Sequence, residues 1–271
     1  MFGGGGGIAD IGGGPELDGG EPGGGELGCP ELGGGVGNPL DDLPGKSLMG
    51  MNLQAGAICS GRCDNARVSF FDRNRKELAE KGINPDRLPP GQYLTDRFPV
   101  LHVGDVPTYA PGEWSLSITG MVDNPFTLTM DELHALPAIS PTFDIHCVTK
   151  WSKFDTTWTG VRVRDLLDRA GVQKGAKFVM EHAEFGYTTN IALPDITTDD
   201  AIVAYKFEGE DIEPIHGGPV RIVVPHLYFW KSAKWVRGIE VRKGDSPGFW
   251  ERNGYNMYGD PFKEQRHTGD R

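Results

Sequence analysis

The stretch HGGPVRIVVP at residues 216–225 joins two glycines and a proline to an apolar run that encloses one arginine. The run at residues 220–224 predicts a strand buried on both faces, because such strands show almost no polar alternation. Gly217 and Gly218 allow the backbone to approach a ligand closely. Arg221 offers a planar fork of N–H donors that suits a phosphate. The stretch therefore predicts a buried strand that begins beside a ligand site.

Further strands are predicted on both sides of this stretch. Residues 114–118 alternate between apolar and polar side chains, which indicates a half-buried strand. Apolar segments that predict additional strands occupy residues 177–182, 188–193 and 235–241. The segments are separated by polar residues, glycines and prolines, which favour turns.

The predicted helices are short. Thr129 and Glu132 form a capping-box pattern, and the helix that they begin has to end before Pro137. Residues 68–81 and 163–170 also have helical patterns, and each is followed by a glycine, which is typical of a helix end. Because strands outnumber these short helices, we predict a mixed α+β fold.

Residues 1–50 differ in composition from the rest of the chain. They contain 20 of the 40 glycines, and they carry eight acidic side chains against one basic side chain. A segment of this kind buries too little apolar surface to offset its backbone entropy. We therefore expect a disordered acidic Gly-rich tail at residues 1–50, a transitional segment at 51–92 and a folded domain at 93–271.

The charge and the apolar content exclude several classes of partner. A net charge of −11 provides no basic field for nucleic acid. No apolar run approaches the ~18 residues of a membrane span. The first residues do not show the charged and then apolar pattern of an export signal. We therefore expect a cytoplasmic protein that does not bind nucleic acid and has no membrane span.

Cys147 is the candidate residue for redox or metal chemistry. It lies in DIHCVTKWS at residues 144–152, where an apolar run gives way to a polar loop. Lys150 is close in sequence and can favour the thiolate. A lone cysteine in this position also fits a buried small hydrophobic side chain, and this alternative stays open.

The block KSAKW at residues 231–235 adds ligand-binding groups downstream of the predicted strand. Lys234 supplies a point charge and Ser232 a hydroxyl group. Together with Arg221, these groups suit a polar, partly planar and phosphorylated ligand. A strand with a solvated basic edge would show the same spacing, so the pattern alone does not choose between the two interpretations.

Several motifs in a fixed order resemble the molybdopterin-binding domain of the sulfite oxidase family. They are CVTKWS at residues 147–152, WTGV at 158–161 and HGGPVR at 216–221. The resemblance runs from about residue 98 to residue 242. It is strongest to the small bacterial and archaeal sulfite-oxidase-like oxidoreductases, whose last segment is similar to residues 248–262.

This resemblance implies a fold, a cofactor and a reaction. The fold is the mixed α+β sulfite-oxidase type, and the cofactor is molybdenum–molybdopterin, with one pterin per chain. The implied enzyme is an oxidoreductase that performs two-electron oxygen-atom transfer. Its small-molecule substrate would be sulfite-like, a sulfoxide or an N-oxide.

The resemblance also implies roles for single residues. Cys147 is expected to be the catalytic residue and to ligate molybdenum through its thiolate, a soft donor that such a metal accepts. The residues expected to contact the cofactor are His102, Cys147, His182, His216, Arg221, Ser232, Ala233 and Lys234.

The sequence departs from the family pattern in two respects. In sulfite oxidases an arginine just before the histidine of the opening motif holds an anionic substrate, whereas Val100 and Leu101 precede His102 here. The chain contains no haem-attachment motif. We therefore expect electrons to pass to or from a separate partner of unknown identity.

Two other functions compete with this one. A catalytically silent relative would bind the pterin, or nothing, and act as an interaction module, which the missing arginine and the acidic tail favour. A zinc hydrolase would require three of His146, Cys147, His216 and His226 to converge. Cys59 and Cys63 have the spacing of a metal or redox pair, but no second pair of ligands follows at the usual distance.

Overall fold

The computed structural model describes residues 70–271, and the account that follows is confined to them. The expectations for the tail at residues 1–50, for residues 51–69 and for Cys59 and Cys63 lie outside the described residues.

In chain order, the elements of this part are α1 (Phe70–Glu80), β1 (Tyr93–Leu94), β2 (Ser115–Gly120), β3 (Phe126–Thr129), α2 (Met130–His134), β4 (Thr142–His146), β5 (Trp151–Arg162), α3 (Val163–Ala170), β6 (Phe178–Ala183), β7 (Thr188–Ala192), α4 (Leu193–Ile196), β8 (Ile202–Phe207), β9 (Glu210–Asp211), β10 (Arg221–Val223), β11 (Val236–Arg242) and α5 (Phe249–Arg252). Short 3-10 turns occupy Pro85–Arg87, Glu184–Gly186, Pro214–His216 and Phe229–Lys231. Strands therefore predominate over short helices, and the predicted mixed α+β class is confirmed.

The strands form two sheets. In the first sheet the order is β1-β5-β8-β10, with β4 paired to β5 and β9 paired to β8. β1 runs parallel to β5, and the other pairs in this sheet are antiparallel. In the second sheet the order is β3-β2-β11-β6-β7, and only the β2–β11 pair is parallel. The strand pair predicted from residues 177–193 is the antiparallel hairpin of β6 and β7.

The strand β10 and the first three residues of β8 are buried on both faces. Side chains alternate between the faces of a strand, so neighbouring residues enter different clusters. Ile222 belongs to the main hydrophobic cluster with α3 and β11, whereas Val223 belongs to a second cluster that includes Cys147. Arg221 is two residues before Val223 and therefore shares its face. This alternation directs the buried arginine toward the cluster of the cysteine.

Local signals define the ends of the helices. The Thr129 side chain accepts a hydrogen bond from Glu132 N, and the Glu132 carboxylate accepts one from Thr129 N, which completes the capping box. α3 ends at Gly171, whose φ of 70° is readily adopted by glycine. Within residues 70–271, no helix has the length and apolar character that crossing a bilayer requires.

Residues that precede the predicted domain boundary at residue 93 pack against the domain. Leu78 and Leu88 are buried. The Gln92 side chain donates a hydrogen bond from Nε2 to the Cys147 carbonyl oxygen at 3.0 Å. The segment at residues 70–92 therefore supports the loop that carries the cysteine.

A buried ion pair attaches the C-terminal segment to the second sheet. The side chains of Lys231 and Glu251 are fully buried, and their Nζ and Oε1 atoms lie 2.6 Å apart. Lys231 Nζ also donates to the backbone oxygens of Asn190 and Met257. Glu251 Oε1 accepts from Trp230 Nε1 and from the hydroxyl of Thr189. The pair thus connects α5, β7 and the turn at Phe229–Lys231.

We predict that Glu251→Leu lowers the free energy of unfolding by about 3–5 kcal/mol, because it leaves a buried ammonium without its counter-charge. Urea unfolding followed by fluorescence measures the change. The double variant Lys231→Met/Glu251→Leu removes both charges and is expected to recover at least half of the loss. A double variant less stable than Glu251→Leu would contradict this explanation.

Candidate functional site

A cavity of about 330 Å³ opens beside Cys147. Its volume is at the lower end of the ~300–1,000 Å³ typical of sites for small molecules and cofactors. The lining contains Phe98, Pro99, Leu101, His102, Val103, Cys147, Val148, Thr149, Trp151, Tyr187, Arg221, Phe229, Trp230, Ser232, Lys234, Trp235, Trp250 and Tyr255. The structure therefore brings five of the predicted site residues to one cavity: His102, Cys147, Arg221, Ser232 and Lys234.

A hairpin turn presents the sulfur of Cys147. The turn joins β4 to β5, with hydrogen bonds from Cys147 N to Trp151 O at 2.8 Å and from Lys150 N to Cys147 O at 3.0 Å. Lys150 adopts a positive φ of 76°, which closes the turn. Cys147 is the last buried residue before this turn, with 7% of its surface exposed. Its side chain is therefore held by the backbone of a strand and still lines the cavity.

The protonation of Cys147 is set by its burial and by two neighbouring groups. Burial raises the pKa of the thiol, whereas the hydroxyl of Thr149 and the charge of Lys234 lower it. Sγ lies 3.1 Å from Thr149 Oγ1. The sequence predicts that Lys150 favours the thiolate, whereas in the structure Lys150 is exposed and the lysine that lines the cavity is Lys234. A thiol of this kind releases its proton when a metal binds it.

Arg221 places a permanent charge at the cavity wall. It is 1% exposed, and it donates to the carbonyl oxygens of His216 at 2.8 Å and Ser232 at 2.9 Å. Its guanidinium carbon lies 4.0 Å from the centre of the Phe229 ring, a cation–π distance. Burial lowers the pKa of Arg221 to about 9, and the charge of Glu181 opposes that decrease. The side chain therefore remains protonated at neutral pH.

Lys234 is a second cation, and its charge depends on pH. Its Nζ donates to Ile215 O at 2.7 Å. Burial lowers the pKa of Lys234 to about 7, and repulsion from Arg221 acts in the same direction. An anion placed beside this amine would restore its charge, because an opposite charge favours the ammonium form.

The two glycines of the opening stretch serve protein packing. A Cβ on Gly217 would lie 2.9 Å from Lys234 Cγ, and φ at this residue is 108°. A Cβ on Gly218 would overlap the backbone oxygen of Ile212. The sequence predicts that these glycines let a ligand approach, whereas the groups that lie closest to them are Lys234 and the backbone at residue 212. Their contribution to the site is that they allow Lys234 to pack against the turn at Pro214–His216.

A buried carboxyl group supports the segment Ser232–Ala233–Lys234. Glu181 is fully buried on β6, and its Oε2 accepts a hydrogen bond from Ala233 N at 3.0 Å. Burial raises the pKa of Glu181 to about 8, and the hydrogen bond from Ala233 N opposes this increase. Ser232 Oγ accepts from Val224 N at 3.0 Å. Ala233 itself is 1% exposed and contributes to the site through its backbone, outside the lining.

The three predicted histidines occupy different positions. His102 lines the cavity, with its ring 5.5 Å from that of Trp235. His216 lies behind the lining, stacked on Phe98 at 4.0 Å, and burial lowers its pKa. His182 lies outside the lining, because its side chain projects from the exposed face of β6 and Nε2 contacts Glu240 at 2.9 Å.

The residues of the zinc hypothesis do not converge. His226 Nε2 contacts Asp195 at 3.0 Å. His146 Nδ1 contacts Ser152 Oγ at 2.9 Å. Within residues 70–271, no group of three or more His, Cys, Asp or Glu side chains is placed to hold a metal ion by itself. A metal at Cys147 would therefore need most of its ligands from another molecule.

Aromatic side chains form the walls of the cavity, and most of them are not predicted as site residues from the sequence. Phe229 and Trp230 both line the cavity. Trp250 and Tyr255 stack at 4.9 Å, and Tyr255 also contacts Trp230 edge to face at 5.1 Å. In the sequence, the signal for these walls is the high density of aromatic residues at 228–230 and 249–258. These walls suit a ligand with a flat ring system.

The donor set fits a metal held mainly by its cofactor. Among the described residues it provides one soft sulfur donor, two cations and the side chain of Trp151, whose buried Nε1 has no hydrogen-bond partner within residues 70–271. In the described part of the chain, His216 Nδ1 is also buried without a hydrogen-bond partner. Buried polar atoms of this kind normally find a partner in a ligand or water. The residues therefore fit a phosphorylated, ring-containing group that brings its own metal.

Comparison with known proteins agrees with this site. The family model described as the oxidoreductase molybdopterin-binding domain matches residues 103–250. The uncharacterized oxidoreductase YuiH of Bacillus subtilis is 51% identical over 185 residues, which are 68% of this chain and 93% of that protein. Sulfite oxidase of Arabidopsis thaliana is 27% identical, and the match covers 54% of this chain and 46% of that protein.

A solved structure shows the same fold. The sulfane dehydrogenase SoxCD of Paracoccus pantotrophus matches with a TM-score of 0.51 and 21% sequence identity, over 57% of this chain and 44% of that chain. The predicted sulfite-oxidase-type fold is thereby confirmed. The family model covers more than half of the sequence, and the chain belongs to the sulfite-oxidase-like family of molybdopterin-binding oxidoreductases.

Proposed function

We propose that this protein is a molybdenum–molybdopterin-dependent oxidoreductase that performs two-electron oxygen-atom transfer on a small substrate. One observation carries the proposal: the sulfur of Cys147 lines the same cavity as Arg221 and Lys234. A soft metal ligand and two phosphate-binding cations around one space are what such a cofactor requires. We further propose that one pterin binds per chain.

The chain supplies anchors for each part of this cofactor. Cys147 ligates the metal, and the charges of Arg221 and Lys234 bind the phosphate. His102, His216, Ser232 and the backbone of Ala233 complete the contacts. His182 is left out of this set because its ring pairs with Glu240. When bound, the cofactor supplies a metal that cycles by two electrons, whereas the protein orients the reactants and excludes water.

We propose that the hydroxyl of Tyr255 is a hydrogen-bond donor to the substrate. Its ring lines the cavity, and burial together with the charge of Cys147 raises the pKa of its hydroxyl. The phenol therefore keeps its proton at neutral pH. When an oxygen atom leaves the substrate, Tyr255 Oη can donate a hydrogen bond to it. Trp230 and Trp250, on either side, limit the access of bulk water.

We predict that Cys147→Ser removes one sulfur ligand from the metal while the fold remains intact. Molybdenum X-ray absorption on protein from a host that makes the cofactor counts the sulfur ligands, and circular dichroism monitors the fold. Turnover is expected to fall at least about 100-fold, because the thiolate controls the electronics of the metal. Val148→Ala, one residue away in the lining, serves as the matched control.

Elemental analysis separates this proposal from the silent-module alternative. The wild-type protein is expected to carry about one molybdenum per chain. Protein that contains no molybdenum and no pterin would refute the proposal. An unchanged sulfur count in Cys147→Ser would refute the assignment of the ligand.

We predict that sulfate, as a stand-in for phosphate, binds the cofactor-free protein with a pH-dependent affinity set by Lys234. The ammonium form binds the anion, so affinity is highest below pH 7 and falls by up to about tenfold per pH unit above it. Burial and the charges of Lys234 and Arg221 lower the pKa of His216. Calorimetric titration between pH 6 and 9 gives the profile.

Lys234→Met provides the control for this titration. It is expected to weaken sulfate binding at pH 6 and to remove the decrease above pH 7. If the wild-type affinity does not change between pH 6 and 9, Lys234 does not bind the anion.

A further inference from the structure

The turn at residues 147–150, which presents the sulfur, is not held by the hairpin alone. Lys150, its last residue, has a φ of 76°, a left-handed conformation that is unfavourable for a residue with a Cβ. Such a conformation persists only where surrounding contacts hold it. Within the hairpin, the carbonyl oxygen of Cys147 accepts a hydrogen bond from Lys150 N at 3.0 Å. A carbonyl oxygen can accept a second one, so contacts from outside the hairpin can also fix this turn.

Strand β1 brings Gln92 to the turn. β1 runs parallel to β5 with Tyr93 opposite Trp151, and Tyr93 N donates to Lys150 O at 2.8 Å. This register places the residue that precedes β1 beside the turn. Gln92 is that residue. Its side chain is fully buried, and its Nε2 donates to Cys147 O at 3.0 Å.

The hydrogen bond from Gln92 restrains the direction of the sulfur. The carbonyl carbon and the Cβ of Cys147 are bonded to the same Cα, so a restraint on the carbonyl group also restrains the side chain. The amide has one usable orientation, because the opposite one would place two oxygen acceptors against each other. Since the amide is uncharged, it adds direction without adding a charge beside the sulfur.

The C-terminal segment holds the backbone that carries Gln92. Arg266 is 8% exposed, and its Nη2 donates to Pro90 O at 3.3 Å and to Gly91 O at 3.4 Å. Its Nη1 donates to Glu264 Oε1 at 2.8 Å. Gly91 has a φ of 67°, and a Cβ on it would overlap the Glu264 carboxylate. The two residues before Gln92 are therefore packed closely against this segment.

We propose, on the basis of the proposed function, that Gln92 is a positioning residue for the metal ligand Cys147 and that Arg266 acts through Gln92. The amide restrains the cysteine, and the guanidinium restrains the backbone of the amide. Both residues lie outside the range 103–250 that the family model matches. Groups that orient a metal ligand in this way control the properties of the metal site, although they do not touch the metal.

The reactivity of Cys147 in the cofactor-free, full-length chain tests this role. Cys147 is 7% exposed, so its alkylation by iodoacetamide requires the turn to move. Gln92→Met keeps the length of the side chain and removes the donor. We expect Cys147 to be alkylated about fivefold to tenfold faster, which is the effect of losing one hydrogen bond. Peptide mass spectrometry distinguishes Cys147 from the other three cysteines, and an unchanged rate would overturn the proposal.

Gln173→Met is the matched control. Gln173 Nε2 donates to the backbone oxygen of Val122 at 3.2 Å, and neither residue lines the cavity. The substitution removes the same kind of hydrogen bond, and we expect the alkylation rate of Cys147 to stay at the wild-type value. An equal acceleration in both variants would show a general loss of stability and would overturn the role of Gln92.

A double-variant cycle tests whether Arg266 acts through Gln92. Arg266→Met leaves the amide in place, and we expect a smaller acceleration of alkylation than in Gln92→Met. The double variant Gln92→Met/Arg266→Met is expected to match Gln92→Met, because two effects exerted through one contact do not add. Accelerations that multiply would overturn the role of Arg266. If Gln92→Met does not fold, Arg266→Met tests the same contact.

The electron paramagnetic resonance spectrum of the molybdenum-loaded protein reports the effect on the metal. We expect Gln92→Met to retain about one molybdenum per chain and to show shifted g values, whereas Gln173→Met keeps the wild-type spectrum. A wild-type spectrum in Gln92→Met would overturn the proposed effect on the metal. Wild-type protein without molybdenum or pterin would refute the proposed function, and the alkylation rates would still decide whether Gln92 positions the cysteine.

Discussion

The guanidinium of Arg221 is buried in the protein interior. The groups that compensate its charge fix the positions of two segments beside the cavity. A buried charge is tolerated only when hydrogen bonds and nearby charges compensate its loss of hydration. Here the carbonyl oxygens of His216 and Ser232 accept its N–H groups, and Phe229 covers its face. These partners come from chain segments on both sides of β10. Satisfying one charge therefore orders the turn at Pro214–His216 and the segment at Ser232–Lys234 together.

The first sheet fixes the position of the Arg221 guanidinium relative to the sulfur of Cys147. β5 lies between β4 and β8, and β8 pairs with β10, which carries Arg221. The hairpin turn at the end of β4 carries Cys147, so three strand pairings, β4–β5, β5–β8 and β8–β10, fix its position relative to Arg221. The second hydrophobic cluster, which includes Cys147, Trp158 and Val223, fills the space on this face of the sheet. A metal ligand and a phosphate-binding group are in this way held on rigid strands, which a site with exact geometry requires.

The C-terminal segment completes the site from the second sheet. The pair of Lys231 and Glu251 holds α5 and the turn of Trp230 against β7. Trp250 directly precedes Glu251 in the sequence, and Tyr255 stacks on the Trp250 ring. The family model ends at residue 250, whereas Tyr255 lies beyond it and still lines the cavity. The wall that would contact a substrate therefore depends on a segment whose attachment is a buried ion pair.

The sequence by itself determined the features that depend on neighbouring residues. The capping box at Thr129, the end of α3 at Gly171 and the hairpin of β6 and β7 follow from local hydrogen bonds and backbone preferences, and all three are present. The motifs around Cys147 and Arg221 also indicated the family. Only the tertiary structure decided that Lys234 lies beside the sulfur, that His182 faces away from the cavity, and that Trp230, Trp250 and Tyr255 form its walls. These facts depend on strand pairing and on the ion pair of Lys231 and Glu251, which join residues far apart in sequence. Periodicity reports which face of a strand is buried, but it does not report which distant residue lies against that face.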